Sequence, residues 1–457
     1  MSPTSADIVV LGGGSGGYAA AIRSAELGKS VILIEEGDLG GTCLHRGCIP
    51  TKALLHAAEV ADSARSASQF GVEATFSGID ATKVQNYKNT VVNRLHKGLT
   101  SLVASHGITV VHGRGRLVGP NQVEVDGEVI TATQIVLATG SVPRKIPGIG
   151  IGGRVITSDT ALEMTSVPSK AVILGGGVIG VEFASVWASF GSSVTIVEAM
   201  TRLVPNEDET MSKHLERAFR RRKIAVKTSA KVVEVAQDDR QVSVTLDSGE
   251  VLDVDVVLVA VGRAPNTERM GFEEAGVRLV DGFVATNDRL QTSLPQVYAV
   301  GDIVVGQQLA HRGFQQGLFV SEEIAGSRPE IVDESGIPRV TYSHPEIASV
   351  GLSESSARTL FSDDVETVTY DLVGNGKSQI IKTSGAIKLV VGPNGVVVGV
   401  HMIGDRVSEL IGEAQLLCNL EVKAADAAKH VHAHPTLGEA LGEALLAIAG
   451  KPLHTHS

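Results

Sequence analysis

Short apolar runs alternate with helical-period stretches along the chain, and glycine clusters punctuate them. Asp7-Ile8-Val9-Val10-Leu11 is of strand length and continuous in apolar side chains, as a strand buried on both faces requires. Gly12-Gly13-Gly14-Ser15-Gly16-Gly17 follows, then a helical run from Tyr18 to Leu27, then the strand Ser30–Ile34 ending at Glu35. The same order returns downstream. Ala171–Leu174 leads into Gly175-Gly176-Gly177-Val178-Ile179-Gly180, a helical run from Val181 to Phe190, and the strand Ser193–Val197 ending at Glu198. The distance from first glycine to acid is 35 − 12 = 23 in the first unit and 198 − 175 = 23 in the second.

Between the units, residues 55–110 carry helical periodicity, and residues 109–137 read as short strands with turns at Gly119-Pro120-Asn121 and Asp126-Gly127. Ile135–Leu137 is a buried strand running into Ala138-Thr139-Gly140, and Pro143 and Pro147-Gly148 mark a boundary. Strands around 225–262 end in a turn at Gly262, and Val297–Val300 ends at Gly301-Asp302. From about Pro338 a strand-rich region runs to Val400, followed by helical runs at Ser408–Leu417 and Leu437–Ala449. The predicted fold is α/β: two Rossmann-like dinucleotide-binding domains and a C-terminal α+β domain. The expected divisions are 1–148, 149–266, 267–337 as a central segment completing the first domain, and 338–457.

In each repeat the first glycine (Gly12, Gly175) makes a tight turn. The second (Gly14, Gly177) admits a pyrophosphate to the helix N-terminus, and the third (Gly17, Gly180) lets helix and strand pack closely. The acid (Glu35, Glu198) faces a ribose diol. Two dinucleotides are therefore expected, the alternative being that one copy is a fold without a ligand. Glu198 favours NAD, because it would repel a 2′-phosphate; Arg202 is the one residue nearby that argues for NADP.

Directly after Glu35 comes Gly40-Gly41-Thr42-Cys43-Leu44-His45-Arg46-Gly47-Cys48-Ile49-Pro50-Thr51-Lys52, with two of the chain's three cysteines. The run from Lys52 to about Ala67 is helical, which places Cys48 at a helix N-terminus, where the dipole favours a thiolate. Arg46 is expected to deepen that stabilisation. A redox-active pair is the functional reading; buried or zinc-bound cysteines are the alternatives, and Cys418 reads as core. A disulfide needs a carrier to accept a hydride from a nicotinamide, and a flavin is such a carrier. That assigns FAD to the first unit and NAD to the second. Asp302 suits either a flavin's sugar-like chain or a helix N-cap.

His430, His432 and His434 alternate, so that a strand would put them on one face. A metal site is one reading, and no metal is the expectation. The other reading makes His434 a base oriented by Glu439, on a helix beginning at Thr436 or Leu437. The tail His454-Thr455-His456 reads as a solvated end.

Composition narrows the partners. A net charge of −11 and 4% aromatic residues argue against a nucleic-acid surface. No apolar run reaches the ~18 residues of a membrane span. The N-terminus lacks a basic region before its first apolar run, so no signal peptide is expected. With few cysteines, a cytoplasmic location is expected.

Taken together, the cysteine motif, the two fingerprints, Leu309-Ala310-His311-Arg312 and His432-Ala433-His434-Pro435-Thr436 with Glu439 closely resemble the glutathione-reductase-like disulfide oxidoreductases, in particular the dihydrolipoyl dehydrogenases. The resemblance spans essentially the whole chain. It implies NAD-dependent oxidation of a protein-bound dihydrolipoyl group through FAD and a Cys43–Cys48 disulfide. The partner would be a lipoyl-bearing protein of a 2-oxo acid dehydrogenase or glycine cleavage complex. It further implies a Lys52–Glu182 ion pair near the flavin, Cys48 on the flavin side and Cys43 as the exchanging thiol. His434 would be supplied across a homodimer formed by the C-terminal domain. Thr42, Lys52, Thr139, Gly140, Asp302 and Ala310 would be FAD contacts, and Gly262 an NAD contact. His45 and Arg46 stand where the family often has Asn and a small apolar residue. Within the same family, the alternative is an NADPH-dependent reductase of a glutathione-like or mycothiol-like disulfide. From another class, it is a diaphorase or a complex-docking component.

Overall fold

The computed structural model describes residues 4–454. The expectations for Met1-Ser2-Pro3 and for Thr455-His456 lie outside these residues. Strand Ser5–Leu11 pairs in parallel with Val31–Glu35 on one side and Glu128–Leu137 on the other. Thr109–His112 extends the sheet beyond Val31–Glu35, and Val297–Ala299 joins in parallel along Ile135–Leu137. The antiparallel strands Gln122–Val125 and Gly115–Gly119 complete it. Ile8, Val9, Val10 and Leu33 are all buried, as a sheet covered on both faces demands. The helices Ser15–Glu26 and Ala310–Ile324 pack against each other, so a segment from late in the chain closes the first unit.

The second repeat builds its own parallel sheet, in the order Ala225–Lys227, Ser193–Val197, Lys170–Leu174, Val256–Val259, Val155–Thr157. The chain enters and leaves this unit along one short ribbon, Ser141–Pro143 antiparallel to Arg263–Pro265. The last sheet is antiparallel, in the order Arg339–Thr341, Glu346–Gly351, Val397–Gly404, Ala386–Val391, Glu366–Asp371. Helices Val407–Asn419 and Glu439–Ile448 contribute to its buried core.

Several local expectations are corrected. The two fingerprint helices start at Ser15 and Val178, three residues before Tyr18 and Val181, so Gly16, Gly17 and Gly180 lie inside their first turns. The helix after the cysteine motif starts at Cys48 itself and runs to Ser66. The segment with His430, His432 and His434 is not a strand, so no shared face forms. His432 instead pairs with Glu413 at 2.8 Å. The helix carrying Glu439 starts at Glu439, with Thr436 outside it. His454 is anchored to Glu443, its ring nitrogen 2.8 Å from one carboxylate oxygen and its backbone nitrogen 3.0 Å from the other. Cys418 packs partly buried against the last core, and burial pushes its thiol up to about 12.

Candidate active site

The two glycine turns are near copies in three dimensions. Gly12 has φ +107° and Gly175 φ +108°, a region closed to most side chains. A Cβ at Gly17 would overlap the Gly12 carbonyl oxygen, and one at Gly180 the Gly175 carbonyl oxygen. Glu35 accepts from the amides of Gly13 (2.6 Å) and Gly37 (2.8 Å). Glu198 accepts from those of Gly176 and Met200, both at 2.6 Å. Both acids thus brace the turn they follow. Arg202, the residue that argued for NADP, donates instead to the carbonyls of Pro205 (2.7 Å) and Glu207 (3.2 Å).

One cleft of about 2050 Å³ runs between the turns. Single small-ligand sites occupy roughly 300–1,000 Å³, so this volume suits two dinucleotides. Both fingerprint helices are capped by glycine without a side-chain hydrogen bond, leaving their N-termini to a ligand's phosphates. A Cβ at Gly177 would meet nothing within 4 Å. The cradles therefore fit FAD and a nicotinamide dinucleotide.

Gly14, Thr42, Cys43, Cys48, Lys52, Gly140, Glu182, Gly175, Gly177, Glu198, Gly262, Asp302 and Ala310 all line this cleft. Gly12, Gly17, Gly180 and Glu35 do not line it; they act within the glycine turns themselves. Thr139 turns its hydroxyl away, donating to the Asn266 carbonyl at 2.6 Å. Asp302 caps no helix; it accepts from Ser141 Oγ at 2.5 Å. His434 and Glu439 lie elsewhere, on the last domain, with His434 Nδ1 2.9 Å from Glu439 Oε2.

The cysteine motif is seated on the first glycine turn. Gly40 donates to the Gly13 carbonyl at 2.9 Å, and a Cβ at Gly41 would collide with Gly14 Cα. The paired glycines ahead of Thr42 thus bring the dithiol against the nucleotide cradle. Cys48 is the first residue of its helix, and its thiol is lowered to about 7. The hydrogen bond from Cys43 is the main cause, and Lys52 adds to it against the cost of burial. That same bond, together with burial, pushes the Cys43 thiol up. The charged partner is Lys52 and not Arg46. Lys52 Nζ lies 3.0 Å from each Glu182 oxygen and 4.5 Å from the centre of the Tyr342 ring. Burial would lower the Lys52 ammonium, but Glu182 and Cys48 outweigh it, so it is raised. The arrangement holds a thiolate beside a fixed cation in a partly closed site.

Arg263 was not singled out by sequence, although it follows the turn glycine Gly262. Its Nε donates to Ser141 Oγ at 2.7 Å and its Nη2 to the Ser141 carbonyl at 2.7 Å. It joins the ribbon between the two units to the Ser141–Asp302 pair. A strand-to-arginine-to-proline turn was the available signal, but nothing local ties it to Ser141.

A family model described as pyridine nucleotide-disulphide oxidoreductase matches residues 6–317, and one described as the dimerisation domain of these proteins matches residues 337–445. A dihydrolipoyl dehydrogenase of Bacillus subtilis is 39% identical, covering 99% of both chains. That of Geobacillus stearothermophilus is 36% identical, covering 98% of this chain and 97% of its own. The Cu(II) complex of an HOCl-induced flavoprotein disulfide reductase from Escherichia coli superposes with a TM-score of 0.88 at 27% identity, covering 98% of this chain and 100% of the other. This chain belongs to the pyridine nucleotide-disulphide oxidoreductase family.

Proposed function

We propose that this chain oxidises a protein-bound dihydrolipoyl group to lipoyl with NAD⁺ as the final acceptor. The carrying observation is the Cys43–Cys48 pair, one thiol lowered and one raised, placed between two dinucleotide cradles in a single cleft. Relatives that share nearly the full chain are named dihydrolipoyl dehydrogenase.

The reaction begins with the Cys43–Cys48 disulfide. His434 of a second copy takes the proton from one substrate thiol. The substrate thiolate attacks Cys43 Sγ, and the Cys43–Cys48 bond breaks with its electron pair on Cys48. The second substrate thiol, passing its proton to the departing Cys43 sulfur, then attacks the substrate sulfur bonded to Cys43. That closes the substrate disulfide and frees Cys43, so the substrate has lost two electrons and two protons. Bound FAD supplies the two-electron chemistry between the dithiol and NAD⁺. Gly14 and Asp302 would hold FAD, while Gly175, Gly177 and Glu198 would hold NAD. Lys52, fixed by Glu182, keeps the Cys48 charge stabilised until it is relieved.

The acting form is a homodimer. The match of residues 337–445 to a dimerisation domain supports this. So do the position of His434 away from its own chain's cysteine cleft and the exposed Leu416 on the Val407–Asn419 helix with Leu420 just beyond its end. The lipoyl-bearing partner belongs to a 2-oxo acid dehydrogenase or glycine cleavage complex, and the enzyme is cytoplasmic. Among the described residues no helix is long and apolar enough to cross a membrane.

The test supplies the flavin-loaded protein with dihydrolipoamide and NAD⁺ and follows NADH formation. NADH is the expected product. No NADH, together with NADPH oxidation driven by a glutathione-like or mycothiol-like disulfide, would replace the substrate and keep the site.

A further inference from the structure

Asn375 is 1% exposed and sits just ahead of the short Gly376–Ile381 helix. Its Oδ1 accepts from the Ser378 amide (2.9 Å) and from Ser378 Oγ (3.1 Å). The backbone amide can only donate, so this contact fixes which end of the side-chain amide is oxygen. The Nδ2 group therefore faces the other way. There it donates to the Thr436 carbonyl (3.0 Å) and to Glu439 Oε1 (3.3 Å), both acceptors. Glu439 reaches His434 Nδ1 through Oε2 at 2.9 Å and Oε1 at 3.2 Å. The amide of Glu439 is itself tied to Thr436 Oγ1 at 3.2 Å.

We infer that Asn375 is a positioning residue for the His434–Glu439 pair, holding the carboxylate that aims the imidazole at the substrate thiol. This rests on the proposed function, in which His434 takes the substrate proton. A buried amide with both N–H groups committed cannot swing without leaving donors unpaired, so it locks both Glu439 and the loop carrying His434. The interaction spans 64 residues of sequence. It also places a neutral donor where an acceptor would repel Glu439. Tyr370 and Asp371, on the adjoining strand, and Glu443, on the Glu439 helix, are titratable groups near this carboxylate, and His454 is paired to Glu443.

Two variants of the flavin-loaded protein test the inference. Asn375→Ser retains an oxygen able to cap the Gly376–Ile381 helix but cannot reach Glu439. Its kcat/KM for dihydrolipoamide should fall about tenfold, well short of the ~10²-fold that an ångström of misplacement costs. NADH oxidation by a quinone, which needs no base at His434, should stay at the wild-type rate. Asn375→Asp keeps shape and cap but turns the donor into an acceptor beside Glu439. The added negative charge favours the imidazolium, so the acid limb of kcat/KM should move up by about one pH unit. The His434 ring signals in an NMR titration should move the same way.

Wild-type kcat/KM and pH profile in both variants would overturn the inference and leave Asn375 a helix cap. Parallel losses of dihydrolipoamide and quinone activity with a lowered Tm would overturn it too, as a purely structural role. Absence of dihydrolipoamide oxidation in the unmodified enzyme would instead remove the proposed function. The NMR titration of Asn375→Asp would still decide the inference.

Discussion

Lys52 and Glu182 stand 130 residues apart and meet at 3.0 Å, one from the helix of the cysteine motif and one from the helix of the second glycine turn. Glu182 also accepts from the Tyr342 amide at 2.9 Å, so the last domain is tied to the same carboxylate. The side chain of Glu182 is 4% exposed and that of Lys52 31%. Removing one partner of a fully buried pair costs about 3–5 kcal/mol. Because Lys52 keeps contact with water, Glu182→Ala should lose about 1–3 kcal/mol, read from the denaturant midpoint.

Lys52 also lowers the Cys48 thiol, after the hydrogen bond from Cys43. In the reduced enzyme, Cys48 alkylation should rise with pH through about 7, because the thiolate is the nucleophile. Lys52→Met should move that rise to higher pH, whereas Arg46→Val should leave it in place. Mass spectrometry of alkylated peptides separates Cys48 from Cys43.

Cys48→Ser should abolish dihydrolipoamide-dependent NADH formation, because no disulfide remains to accept the substrate's electrons. His434→Gln should slow the dithiol half-reaction by about 10²–10⁴-fold, the usual contribution of a general base. Rapid mixing with dihydrolipoamide checks both, and NADH oxidation by a quinone should survive in His434→Gln. A wild-type rate of reduction by dihydrolipoamide in that variant would place the base elsewhere.

Glu198 is braced by two amides while Arg202 is spent on its own loop. NAD should therefore be preferred over NADP. Glu198→Ala should narrow that preference by about 10-fold, or roughly 1.4 kcal/mol. Steady-state kcat/KM for the two oxidised nucleotides measures the ratio.

Asp208 and Lys388 form a buried pair between the second unit and the last sheet, at 2.9 Å. Burial alone would raise the Asp208 carboxyl, but Lys388 and the surrounding amides hold it at about 2, below its ordinary 3.8. A depressed acid stabilises the fold above its unfolded pKa, and that contribution is lost as pH falls through the folded value. About 2 kcal/mol should thus disappear between roughly pH 4 and pH 2. Asp208→Asn should flatten this part of the stability–pH curve, as denaturant titrations at several pH values would show.

The dinucleotide turns, the cysteine motif and the His434–Glu439 spacing are legible from sequence because each is local. Glycines at Gly12 and Gly17 answer to backbone geometry within one turn, and Cys48 owes its helix terminus to residues beside it. The register of the repeats carries this further, since equal spacing implies equal folds. Alternation says less: His430, His432 and His434 would share a face only on a strand, and off one His432 and His434 meet separate carboxylates. What only tertiary structure decided is pairing at a distance. Arg263 with Ser141 and Asn375 with Glu439 join residues whose neighbours in sequence say nothing of the contact, and Lys52 with Glu182 is expected through the family resemblance alone. These polar groups are satisfied only once packing removes water and brings a partner across another element.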